Sequence, residues 1–192
     1  MDITRLDLPG LMLISPQLFE DARGSFCEVF NEKEFQRKTG VDFRVVQENR
    51  SVSLEANTIR GLHAQSPPMA QAKLVRVERG RILDCVVDIR QGSPTYLSSF
   101  AVELMDDDNC QLFVPKGFLH GFRTLEPNCR VVYSVDAYYS PEHDRSVRFD
   151  DPELGCDWGL MGAERLCLSE KDANANWFQD LDARFDYTTS RL

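Results

Sequence analysis

Histidine is scarce in this chain: His63, His120 and His143 are the only ones in 192 residues. A metal site built from three imidazoles would have to use all of them. The six cysteines, at 27, 85, 110, 129, 156 and 167, contain no C-x-x-C pair, so the usual zinc and thioredoxin-like spacings are missing too. Basic residues are outnumbered, with 22 Lys and Arg against 31 Asp and Glu and a net charge of -9. The mean field therefore repels a nucleic-acid duplex or an anionic membrane, although a few cations gathered in a cleft can still hold a small anion. Long apolar runs are absent as well. The opening "MDITRLDLPGLMLISP" places acids early and carries only a short apolar stretch, unlike a secretory signal or a membrane span. With no repeat, linker or low-complexity tract, the expectation is one cytoplasmic domain over residues 1–192, its cysteines reduced, with a C-terminal extension after about 172.

What the chain does have is a succession of short alternating or apolar segments between turn residues, at 26–30, 44–54, 58–64, 72–78, 81–89, 96–104, 111–114, 119–125 and 130–138. That pattern predicts an all-β sandwich or barrel. "NEKEFQRKTG" predicts a short peripheral helix, with Asn31 as cap, Glu34 at the capping-box position and Gly40 as terminator. "SEKDANANWFQDL" predicts a second helical piece capped by Ser169. In an extended 72–78, Lys73 shares a face with Val75 and Val77, and in "VVYSVDAYY" Tyr133 is in step with Val131 and Val135. A lysine on an apolar face either snorkels at the strand end or meets a counter-charge or anionic ligand. The tyrosine either packs in the core or meets a converging polar group.

"VPKGFLHGF", residues 114–122, has the P-x-G-x-x-H order of the second motif of the cupins, double-stranded β-helix proteins of the jelly-roll type. Metal-binding cupins add an earlier H-x-H and a glutamate. Here "IRGLHAQSP" has a lone histidine, so no metal is expected and His120 is read as an orienting or ligand-contacting group.

A wider resemblance is carried by "FEDARGSFCEVF", "VVQENRSVS", "IRGLHAQ", "AQAKLVRVERGRILDCVVDIRQGSPTY", "FVPKGFLHGF", "VVYSVDAYYSPEHD", "DDPELGCDW" and "LSEKD". In this order they resemble the dTDP-4-dehydrorhamnose 3,5-epimerase family over residues 19 to 172. The resemblance implies an all-β, cupin-type double-stranded β-helix (jelly roll) with a few short peripheral helices. It also implies a cofactor-independent homodimer that inverts C3 and C5 of a dTDP-linked 4-keto-6-deoxy sugar. It assigns His63 as base, Asp172 as the carboxylate orienting it, Tyr133 as proton donor and Lys73 as the cation at the C4 oxygen. Arg23, Glu28, Gln47, Asn49, Arg60, His120, Asp144 and Lys171 fall at substrate-contacting positions.

The chemistry suits those residue types. A C4 ketone acidifies the hydrogens at C3 and C5, and inversion needs a base on one face, an acid on the other and a positive group at the enolate oxygen. Imidazole takes protons near neutral pH.

Ordinary readings stand beside several assignments. Asp172 lies three residues after Ser169, where an acid completes a capping box. Arg23 and Arg60 read equally as solvated arginines, and Glu28, Gln47 and Asn49 as strand-end hydrogen bonders. Strict alternation puts Arg60 and His63 on opposite faces unless Gly61 marks a bulge. Asp84 and Asp88, uncommon types for a strand, read as polar neighbours of the site or solvent-facing groups, and are not assigned. Ala64, Asp144 and Gly159 depart from the commoner family pattern. They leave open a single-centre or differently specific sugar-nucleotide epimerase, and a non-catalytic nucleotide-sugar-binding cupin is the third reading.

Overall fold

The computed structural model describes residues 1–163 and 165–188. Its strands are Asp2–Arg5 (β1), Met12–Ser15 (β2), Leu18–Asp21 (β3), Gly24–Cys27 (β4), Gln47–Ser53 (β5), Ile59–Gln65 (β6), Lys73–Arg79 (β7) and Arg81–Asp88 (β8). Then follow Arg90–Gln91 (β9), Ser99–Met105 (β10), Gln111–Val114 (β11), Phe118–Thr124 (β12), Cys129–Val135 (β13), Asp144–Ser146 (β14) and Phe185–Asp186 (β15). The helices are Glu32–Thr39 (α1) and Glu170–Ala173 (α2), with a 3₁₀ turn at Phe178–Asp180. Each expected strand segment overlaps an observed strand. The strands not expected are short: β9, β14 and β15 owe their pairing to partners far away in sequence, β1 pairs with β2 in the opening stretch, and β3 pairs with the neighbouring β4.

A six-stranded sheet, ordered β1-β2-β11-β7-β13-β5, faces a five-stranded one, ordered β10-β8-β12-β6-β14, and the pairs within both are antiparallel. This is an all-β sandwich, the class that the strand pattern predicts, and the jelly roll that the cupin resemblance implies. Alternation along the strands explains the layers. Val75, Val77 and Val131 join Ile82, Val86, Leu104 and Phe122 in one buried cluster, with Tyr133 packed against it. Leu74, on the other face of β7, joins Met12, Ile14, Phe35, Phe43 and Phe113. The outer face of the five-stranded sheet packs Leu62, Cys85, Val87 and Leu119 against Phe149, Leu154, Trp158 and Phe185.

Helix α1 begins where Asn31 accepts the Glu34 N–H at 3.2 Å and ends at Gly40, whose φ of 77° is a left-handed cap. It lies at the edge of the fold yet is anchored, because Phe35 is wholly buried in an aromatic group with Phe30, Phe43 and Phe113. Burial of such a ring stabilises by roughly 1.5–3 kcal/mol. Asp88 is buried rather than solvent-facing. Its carboxylate takes Arg90, Ser93 and Thr95, and the Arg90 guanidinium is stacked on Phe118 and Tyr187. That cluster closes the end of the sandwich and pins β15 beside β9.

Candidate active site

Strand β6 carries a β-bulge. His63 pairs with His120 of β12, but Arg60 pairs with Phe122, so four residues of β6 oppose three of β12. The extra residue breaks strict alternation and brings Arg60 and His63 to the same recess. Gly61 permits it: its φ is 114°, and a Cβ there would lie 2.7 Å from both Gly121 Cα and the His120 carbonyl oxygen. Gly121 answers from the other side, where a Cβ would meet the Arg60 carbonyl at 2.7 Å.

The recess opens between the sheets and has two parts. A narrower one of about 230 Å³ is lined by Ser51, Arg60, His120, Phe122, Ser169 and Asp172 together with His63, Lys73, Tyr133 and Lys171. A wider one of about 390 Å³ shares those last four and adds Gln47, Asn49, Gln65, Gln71, Tyr139 and Asp144. His63 stands on the five-stranded sheet, while Lys73 and Tyr133 stand on the six-stranded one. A larger cavity of about 610 Å³ lies elsewhere, among Phe43, Phe113, Lys116, Asp136 and Phe185, but it gathers no histidine, so size does not mark the chemistry.

His63 Nε2 is 2.6 Å from Asp172 Oδ1, across 109 residues of chain. Asp172 is 5% exposed. Burial pushes its carboxyl upward, but hydrogen bonds from His63, the Ser169 hydroxyl and the Gly61 backbone together outweigh that and hold it below the usual carboxylate range. An ionised acceptor at Nε2 keeps the proton there and leaves Nδ1, which makes no hydrogen bond among the described residues, as the basic nitrogen. The capping reading of this segment holds in part: the Ser169 hydroxyl accepts the Asp172 N–H at 3.1 Å while the carboxylate turns to the imidazole.

Lys73 is half-buried where the valine register points it. Desolvation lowers its pKa to about 8, against the pull of Asp144 and Asp136. Its ammonium donates to Gln71 Oε1 at 3.0 Å and lies 6.0 Å from the centre of the Tyr133 ring. Burial raises the Tyr133 pKa, with Arg60 opposing and Asp144 reinforcing the shift, so the phenol keeps its proton. Arg60 is held by Ser53 Oγ at 3.1 Å and the Val52 carbonyl at 3.0 Å. Gln47 donates to Asn49 at 2.7 Å, and Lys171 pairs with Asp144 at 2.5 Å, where the Tyr139 hydroxyl also donates.

Of the residues singled out in the sequence, Arg23 and Glu28 are not brought to the recess of their own chain. Arg23 is paired with Asp21 on the exposed β3–β4 hairpin, and Glu28 accepts from Asn31. The sequence reading left out Asp84 and Ser51. Asp84 is wholly buried, with Oδ2 2.9 Å from His120 Nε2 and Oδ1 without a partner among the described residues. Burial raises its pKa, and the His120 contact only partly offsets this. The signal was an aspartate in an otherwise apolar strand, "RILDCVVD". Ser51 Oγ is likewise buried without a partner, in step with Gln47 and Asn49 along β5.

An imidazole bonded to a carboxylate stands on one sheet and a half-buried phenol and ammonium on the facing one, an arrangement suited to acid–base chemistry in a cupin-type fold. Residues 5–180 match the family model described as dTDP-4-dehydrorhamnose 3,5-epimerase. The chain belongs to that family. A protein of that name from Sinorhizobium fredii is 46% identical over 182 residues, 95% of this chain and 92% of its own length. The crystal structure of a Legionella pneumophila 3,5-epimerase in complex with dTDP-4-keto-L-rhamnose superposes with a TM-score of 0.91 at 38% identity, covering 97% of this chain and 98% of that one. A Streptomyces bikiniensis 3′-monoepimerase in complex with dTDP-quinovose gives 0.82 at 33% identity, covering 90% and 85%.

Proposed function

We propose that this protein inverts C3 and C5 of dTDP-4-dehydro-6-deoxy-D-glucose to give dTDP-4-dehydro-L-rhamnose. The observation that carries the reading is the placement of His63 and Tyr133 on facing sheets around one recess. His63 Nδ1 removes the proton next to the ketone, and Asp172 stabilises the imidazolium that forms. The Lys73 ammonium holds the enolate oxygen, and the Tyr133 hydroxyl returns a proton from the opposite face. Each inversion moves protons only and is redox-neutral, so the reaction itself calls for no cofactor.

The deeper recess, floored by His120 and Phe122, suits the sugar. The wider one, with Gln47, Asn49, Tyr139, Asp144 and Lys171, suits the nucleoside. Arg60 stands where a diphosphate or sugar oxygen would pass. The whole chain reads as one epimerase domain, because the segment after 172 packs back on the sandwich through Phe178, Leu181 and Phe185. A homodimer is supported by the β3–β4 hairpin, where Phe19 and Phe26 are 53% and 69% exposed and Arg23 and Glu28 lie away from their own recess. Sedimentation should give twice the chain mass, and a monomer at micromolar concentration would remove that part of the reading. Six free thiols are in keeping with a cytoplasmic setting.

The test is incubation with the dTDP-4-keto sugar in deuterated water. Label is expected at both C3 and C5, with the L-configured product. Label at one carbon would replace the reading by single-centre epimerisation, and dTDP binding without label would leave a binding cupin. Tyr133→Phe should lose inversion more than exchange, since enolate still forms and is reprotonated from the face that lost the proton. Equal loss of both would remove Tyr133 as the donor.

A further inference from the structure

Helix α2, which carries Asp172, is four residues long. Isolated helices shorter than about 12–15 residues are marginal in water, so contacts outside α2 must hold its carboxylate against His63. Ahead of the helix, Ser169 caps the first turn, and the Cys167 carbonyl, which accepts the Ile59 N–H at 3.0 Å, ties the chain to β6. Behind it, the chain passes Val147 and Arg148. Val147 exchanges backbone hydrogen bonds with Leu62, the neighbour of His63, at 3.1 and 2.9 Å, and forms a parallel bridge with Asn176. The Arg148 N–H donates to the Asn176 carbonyl at 3.0 Å, and its Nη1 reaches the Ala173 carbonyl at 3.4 Å. The Arg148 guanidinium lies over the Trp177 ring, 4.6 Å from its centre, while Asp150 takes Nε and Nη2. The strand bearing the imidazole and the helix bearing the carboxylate are thus both referenced to Val147 and Arg148.

We propose that Arg148 and Trp177, which line no part of the recess, are positioning residues of the epimerase site: their stack clamps the segment after 172 so that Asp172 stays in register with His63. The proposal rests on the reading of His63 as base. It also accounts for a tryptophan that is 42% exposed yet packed face-on against an arginine.

The experiment compares Trp177→Ala, Trp177→Phe, Arg148→Lys, Asp172→Asn and the double variant Trp177→Ala/Asp172→Asn. Trp177→Ala should lower kcat for proton exchange about 10-fold, within the range expected for a misplaced catalytic pair. Trp177→Phe, which keeps an aromatic face, should restore most of the rate. Arg148→Lys keeps the charge but loses the planar stack and should resemble Trp177→Ala. In the double variant, kcat should equal that of Asp172→Asn, because a residue that acts through Asp172 has nothing left to position. A loss that multiplies on top of Asp172→Asn would overturn the proposal, since a general structural defect behaves that way. A second readout does not depend on turnover. The downfield proton resonance of the His63–Asp172 hydrogen bond should be lost in Trp177→Ala and Asp172→Asn and kept in Trp177→Phe, and its persistence in Trp177→Ala would equally sink the idea. If the wild type exchanges no sugar protons, the functional reading fails, while this resonance still decides whether the clamp exists.

Discussion

Two histidine–carboxylate pairs sit side by side in this fold, His63 with Asp172 and His120 with Asp84, on strands where the two histidines are direct partners. Their chemistry is the same and their carboxylates shift in opposite directions. Asp172 gathers bonds from His63, Ser169 and Gly61 and is lowered, whereas Asp84, wholly buried and bonded by His120 alone among the described residues, is raised. Burial pushes both carboxyls up, and the number of donors each collects decides which effect wins. The pair with the lowered carboxylate has a third-exposed imidazole, which suits the proton transfer proposed for it. The other pair is almost wholly buried.

The sharpest way to break this contrast is to remove each imidazole. His63→Ala should cost about 10²–10⁴-fold or more in exchange and inversion together, with dTDP affinity largely kept. His120→Ala should cost about 10-fold and still exchange protons at both carbons. Deuterium incorporation followed by NMR separates the two, and equal losses would erase the distinction.

The bulge that brings both pairs to one recess can be attacked directly. Gly61→Ala puts an L side chain at a φ of 114° and 2.7 Å from the backbone of β12. The strained backbone alone costs about 1–3 kcal/mol, before the clash is counted. A clear fall in Tm with nearly complete loss of turnover is expected. Wild-type stability would mean that the bulge is not required.

A pH series on the carboxylates sharpens the comparison. Asp172 has a folded pKa below its ordinary 3.8, so its stabilisation is present above that value and is lost as pH falls through the folded pKa. Asp84 has the opposite sign: its ionisation is a penalty that grows as pH rises from 3.8 through the raised folded pKa. Asp172→Asn should therefore lower stability by about 1–3 kcal/mol at neutral pH and matter less below pH about 4. Asp84→Asn should change it by less than that, or raise Tm. Thermal melts across pH decide between them.

The smallest expected effect concerns the cation facing both pairs. With a pKa of about 8, Lys73 is protonated below that pH and loses its charge above it. Turnover should decline severalfold as pH rises through about 8, and replacement by arginine, which stays protonated, should move that limb up even if the peak rate falls. A flat profile to pH about 10, near the ordinary lysine pKa, would take Lys73 out of enolate stabilisation.

Local pattern in the sequence determined much of this protein. A period of two in "KLVRV" and "VVYSV" sets the strands and turns Lys73 and Tyr133 inward, because side chains in extended backbone alternate whatever surrounds them. Asn31 and Gly40 delimit α1 for equally local reasons. Tertiary structure decided the rest. Arg60 and His63 share a recess only because β6 gains a residue against β12, a property of two strands together. Asp172 becomes the partner of His63 only when 109 residues of chain fold back, and nothing near Ser169 separates that role from helix capping. Asp84 and Asp88 are buried, each against a cation or imidazole, although in sequence they read equally as neighbours of the site or as solvent-facing acids. Hydrophobic period is written residue by residue, whereas burial, pairing and the pKa of an acid are set by whichever groups the completed sandwich places around it.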